Sequence, residues 1–138
     1  MTALDNDEVV LTRHTFMMRN CCARESLSLA RSLASEMLSR NGVDQSAVAD
    51  AQLVISELVT NAVQAIGEAV VLSLRVDRRT VVIEVADSDP TNFPIRGEPE
   101  DDDEHGRGLM ILDAIVEDWS VRRTSRGKVV RCCISDGN

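Results

Sequence analysis

Tyrosine is absent from this 138-residue chain, phenylalanine occurs twice and tryptophan once. With so few aromatic side chains there is no platform on which nucleic-acid bases could stack. Positive charge is also scarce: 15 Lys and Arg stand against 23 Asp and Glu, for a net charge of −8. A phosphate backbone rewards a basic face, so direct nucleic-acid binding is not expected. No apolar run approaches the ~20 residues that span a bilayer. Residues 1–8 are acidic and lack the basic-then-apolar pattern of a secretory leader. The expectation is a cytoplasmic protein with no membrane partner. The 4 cysteines form two adjacent pairs, Cys21-Cys22 and Cys132-Cys133. Neither pair has the two-residue gap of a zinc knuckle. A disulfide is not expected in a reducing compartment, which leaves buried or half-buried thiols.

What is present suits a globular protein. Hydrophobic residues make up 43% and charged residues 28%, ordinary proportions for a soluble domain. The length accommodates one domain, residues 1–138, with a core large enough to need no disulfide staples.

Residues 9–16 alternate loosely and are rich in β-branched side chains, predicting a first strand. Residues 21–40 place Leu27, Ala30, Leu33, Ala34, Met37 and Leu38 at helical intervals, and Asn41-Gly42 stops that helix. Asp44 is suited to cap a second helix that runs through Val48, Ala51, Ile55, Leu58, Ala62 and Ile66 to Gly67. Two alternating runs follow, residues 69–77 and 80–87, joined by Arg78-Arg79, which reads as a hairpin. Residues 88–105 hold all three prolines and an acidic run at 98–104, and show no period, so a loop is expected. Gly106-Arg107-Gly108 opens a short helical pattern through Leu109, Ile111, Leu112, Ile115 and Val116. Residues 118–123 and 128–134 close the chain as strands. Helices and hairpins in separate blocks predict an α+β fold. The expected architecture is a two-layer sandwich: a mixed, mostly antiparallel sheet of four to five strands, backed by three helices.

Three stretches could carry chemistry. Glu57 and Asn61 are four residues apart on the second helix, hence on one face, away from the apolar stripe. A carboxylate beside a carboxamide can hold a hydrated cation or orient a hydroxyl, and is equally at home on a plain solvated surface. Asp87 shares the parity of Val81, Ile83 and Val85, which aims it at the buried side as its strand ends. There it either meets a partner or caps a turn. Two glycines at a helix start, Gly106 and Gly108, let backbone N–H groups approach an anion, or simply serve a turn.

Together these segments resemble the Bergerat-fold ATP-binding domains of the GHKL group, which includes gyrase, heat-shock ATPases and histidine kinases. The resemblance rests on Glu57-Leu58-Val59-Thr60-Asn61, then Asp87 ending a strand, a lid-like loop over 88–105, and His105-Gly106-Arg107-Gly108-Leu109. A small domain of this kind looks like the anti-sigma-factor serine/threonine kinases, most closely the single-domain actinobacterial regulators. The resemblance implies ATP and Mg2+ as cofactors. It also implies a sigma factor and a STAS-type anti-sigma-factor antagonist as partners, and a possible homodimer. By position, Asn61 matches the magnesium-binding asparagine and Glu57 the acidic residue that acts as general base toward a protein hydroxyl. Asp87 matches the aspartate that accepts from the adenine amino group. Gly106 and Gly108 match the glycines that meet the phosphates, and Arg107 between them is suited to the terminal phosphate. In the family the aspartate usually opens Asp-x-Gly-x-Gly. This chain has Asp87-Ser88-Asp89-Pro90, so both glycines are missing.

Overall fold

The computed structural model describes residues 12–19, 23–63, 69–88 and 112–135. In chain order these form β1 (Thr12–Arg19), α1 (Ala23–Arg40), α2 (Gln45–Val63), β2 (Ala69–Asp77), β3 (Thr80–Asp87), β4 (Asp118–Arg123) and β5 (Lys128–Ser135). The five strands make one sheet in the order β1-β2-β3-β5-β4, and each pairing among them is antiparallel. The sheet is therefore wholly antiparallel among the described residues, the limiting case of the mostly antiparallel sheet expected. Of the third helix, residues 112–115 are described, closed by the Val116 N–H donating to the Leu112 carbonyl at 2.9 Å.

Local chemistry sets the element ends. α1 terminates in a Schellman motif: the Gly42 N–H donates to Ser39 O at 3.1 Å and the Val43 N–H to Leu38 O at 3.0 Å. Gly42 takes the left-handed conformation this requires, with φ of 78°. Two residues on, Asp44 accepts from the Ser46 amide at 3.2 Å and the Ser46 hydroxyl at 2.6 Å, as an N-cap should. Those bonds hold the Asp44 carboxyl below its ordinary value, the hydroxyl contributing most. β1 ends three residues beyond what its alternation alone suggested, because pairing with β2 decides its register, from Thr12 opposite Val76 to Arg19 opposite Ala69, while residues 9–11 of the expected strand lie outside the described residues. The β2–β3 hairpin has the boundaries expected. Its Arg78 has φ of 60°, an uncomfortable value for a residue with a Cβ. Arg78→Gly should relieve that strain and stabilise the fold by up to about 1 kcal/mol, read as a higher denaturant midpoint at unchanged slope.

Period-two alternation gives the sheet one apolar face. Val70, Leu72, Leu74 and Val76 of β2, Val81, Ile83 and Val85 of β3, and Val130, Cys132 and Ile134 of β5 are all buried. They form one cluster with Ala51, Val54, Ile55, Leu58, Val59 and Ala62 of α2 and with Ala34, Met37 and Leu38 of α1. α2 lies against β2, β3 and β5, while α1 packs on α2 and β1. Leu33, at a helical interval with the apolar residues of α1, is 40% exposed, because α2 covers only the other side of that stripe. At the sheet edge the Trp119 indole N–H donates to Asp113 at 2.7 Å, tying β4 to the 112–115 turn. Cys132 is buried and Cys133 half-buried, both as thiols, while the Cys21-Cys22 pair lies outside the described residues. No described helix is long and apolar enough to cross a membrane.

Candidate functional site

Four chain segments meet at one end of the sheet. Asp87, the last residue of β3, pairs with Val70 near the start of β2 and with Lys128, the first residue of β5. Lys128 in turn pairs with Arg123, the last residue of β4. α2 feeds into this same end, since its chain leaves at Val63 and re-enters the sheet at Ala69. β2 has 9 residues, a length of about 30 Å. The link from Val63 to Ala69 reaches roughly 23 Å at most, so the last turns of α2 lie toward the Asp87 end.

Asp87 faces inward, as its parity predicts, and its partner is Lys128. The Lys128 Nζ donates to Asp87 Oδ1 at 2.9 Å and lies 2.9 Å from Oδ2. Both side chains are almost wholly removed from solvent, 2% exposed for Lys128 and 4% for Asp87. Lysine is rarely buried to this degree unless its charge is matched, and here the match is the equally enclosed Asp87 carboxylate. Reading Asp87 by itself misses this residue. The available signal was parity: Lys128 is in phase with Val130, Cys132 and Ile134, so a lysine on the inward face of a strand implies an anion opposite.

Gly127 makes the close approach possible. A Cβ there would stand 2.6 Å from Ser88 Cα and closer still to the Asp87 carbonyl oxygen. The preceding turn is held by Thr124, whose hydroxyl accepts from the Gly127 amide at 3.0 Å and the Arg126 amide at 3.2 Å. Gly127→Ala must push Asp87-Ser88 away from the β5 start, at an expected cost of about 1–3 kcal/mol in chemical denaturation. Between Ala86–Ser88 and the 124–126 turn lies an open cavity of about 370 Å3 that includes Val71. Val71 and Ala86 belong to the outward phase of their strands, so this cavity opens on the face away from the helices.

Glu57 and Asn61 are both half-buried on α2, one turn apart, beside the buried Leu58 and Ala62. They sit at the margin of the helix–sheet layer rather than on its solvent face. Their oxygens are hard donors of the kind magnesium takes, and magnesium usually keeps only one or two protein ligands alongside waters and phosphates. Among the described residues no three His, Cys, Asp or Glu side chains gather as a metal cage. Two such oxygens would suit an ion that takes its other ligands from water and phosphate. Gly106, Arg107 and Gly108, with the loop from 89 onward, lie outside the described residues.

No curated protein matches the chain. A family model, the histidine kinase-like ATPase domain, matches residues 23–134, which takes in α1, α2 and all strands but β1. The α+β sandwich agrees with it, and the chain belongs to the histidine kinase-like ATPase domain family of the GHKL superfamily.

Proposed function

We propose that this ATP-binding domain is an anti-sigma regulatory factor. It phosphorylates a serine or threonine of a STAS-type anti-sigma-factor antagonist, and it sequesters a sigma factor. The observation that carries this reading is the placement of Glu57 and Asn61. They stand half-buried on α2, whose final turns lie toward the sheet end that holds Asp87. Asn61 would hold the magnesium that accompanies the nucleotide phosphates. Glu57 would accept the proton from the attacking hydroxyl as its oxygen bonds to the γ-phosphorus and ADP departs. Phosphoryl transfer asks a protein mainly for positioning and charge neutralisation, and this small polar set provides for both. Asp87 would accept from the adenine amino group while Lys128 holds its carboxylate in place. Gly106, Arg107 and Gly108 would meet the phosphates from the far end of the 88–105 loop. β1 is an edge strand among the described residues, and such an edge would be where a second copy pairs to make a homodimer.

One observation favours a second reading, a binding module of the same fold that acts by stoichiometric association. The Asp87 carboxylate, which this reading turns toward adenine, already has an ammonium within 2.9 Å of both oxygens, and both glycines that usually follow it are missing here. Incubation with γ-labelled ATP, magnesium and the antagonist separates the two. Label on the antagonist establishes the kinase. Thermal stabilisation by ATP without label transfer establishes the binding module, because a ligand of the native state alone must raise the midpoint. No shift at millimolar ATP with magnesium would remove both.

A further inference from the structure

The sheet face turned away from the helices carries a second cavity, of about 490 Å3. Val82 and Cys133 form its floor, and Arg75, Arg78, Arg131, Asp77 and Thr80 surround them. The register puts Arg75 opposite Val82, and Val82 opposite Cys133, so the site crosses β2, β3 and β5. Three guanidinium groups around one cavity are out of keeping with a chain of net charge −8. The Arg75 Nε is buried and has no hydrogen-bond partner among the described residues. A buried donor left unmatched is costly, and a charged one more so. Arg131 has only a loose ion pair, 3.8 Å from the Glu84 carboxylate, with side chains 47% and 29% exposed.

We infer that this face binds an acidic peptide segment of a partner protein, with one carboxylate seated on Arg75. A carboxylate accepts from Nε–H and Nη–H of one guanidinium as a matched pair of bonds, which satisfies the orphan donor. The volume far exceeds what one small oxyanion fills, given that a water takes roughly 30 Å3 of liquid. The three arginines come from β2, the hairpin turn and β5, so they suit several carboxylates spaced along a chain. Asp77 and Glu84 repel a compact dianion, whereas Asp77 and Thr80 can bond the N–H and C=O groups of a peptide backbone. The site stands on the opposite face of the sheet from α2 and is independent of the nucleotide reading.

Fluorescently labelled hexaglutamate, titrated into the full chain and followed by anisotropy, tests this. Saturable binding is expected that weakens as salt rises through about 0.3 M, while hexaglutamine does not bind. Arg75→Gln and Arg131→Gln should each weaken binding at least about tenfold, and Arg40→Gln on α1 should leave it unchanged. Arg75→Lys, which keeps the charge but loses the paired donors, should weaken it as well and serves if Arg75→Gln misfolds. Equal binding by the Arg75 variants, or none by wild type at millimolar peptide, overturns the inference. Binding of inorganic phosphate without the peptide overturns it in favour of a free ion. A concentration-dependent dimer in sedimentation that Arg75→Gln dissolves overturns it in favour of a second copy of the chain.

Discussion

Replacing Lys128 with methionine is expected to destabilise the fold by roughly 3–5 kcal/mol, the range seen when one partner of a buried ion pair is removed. The size follows from what remains. Asp87 is 4% exposed and its two oxygens face the vacated Nζ position 2.9 Å away, so the carboxylate keeps its desolvation penalty without the compensating charge. A native domain is held by only about 5–15 kcal/mol in total, so this one change removes a large share of it. Urea denaturation of wild type, Lys128→Met, Asp87→Leu and the double variant gives the full cycle. The double variant should recover most of the loss, since a buried pair replaced by packed apolar side chains is often neutral. A loss below 1 kcal/mol for Lys128→Met would show that water reaches the pair. Gly127 acts on the same joint, and a double-mutant coupling between Gly127→Ala and Lys128→Met is expected because both shift Asp87 against β5.

The second large effect concerns chemistry. Glu57→Gln should lower label transfer to the antagonist by about 10²–10⁴-fold, the usual worth of a positioned general base, while ATP-dependent thermal stabilisation persists. Glutamine keeps the shape and hydrogen-bonding reach at residue 57 but cannot take up a proton. A variant that transfers label at the wild-type rate removes Glu57 from the reaction. Asn61→Ala should instead diminish the magnesium-dependent part of the thermal shift, because it deletes a donor oxygen and not a base. The two substitutions lie one turn apart on one half-buried strip of α2, so any shared structural damage would lower both readouts together. Divergence between rate and stabilisation is the distinguishing result.

Much of this protein is written locally. Period-two runs and a two-residue turn define the β2–β3 hairpin to the residue, since both signals act between neighbours in the chain. Asn41-Gly42 and Asp44 set the break between α1 and α2 through bonds that reach at most five residues. The inward aim of Asp87 follows from parity alone, and the Glu57–Asn61 spacing from the pitch of one helix. The family resemblance is legible for the same reason, being carried by short motifs kept in order. Long-range pairing decided the rest. Nothing in the succession of strands dictates that β5 should insert between β3 and β4, leaving β4 at the edge. That choice brings Lys128 against Asp87, 41 positions away, and gathers Arg75, Arg78 and Arg131 around one cavity. Alternation determined which side chains point inward. Only the docking of one hairpin on another determined which of them meet, because a buried charge finds its counter-ion through space and not along the chain.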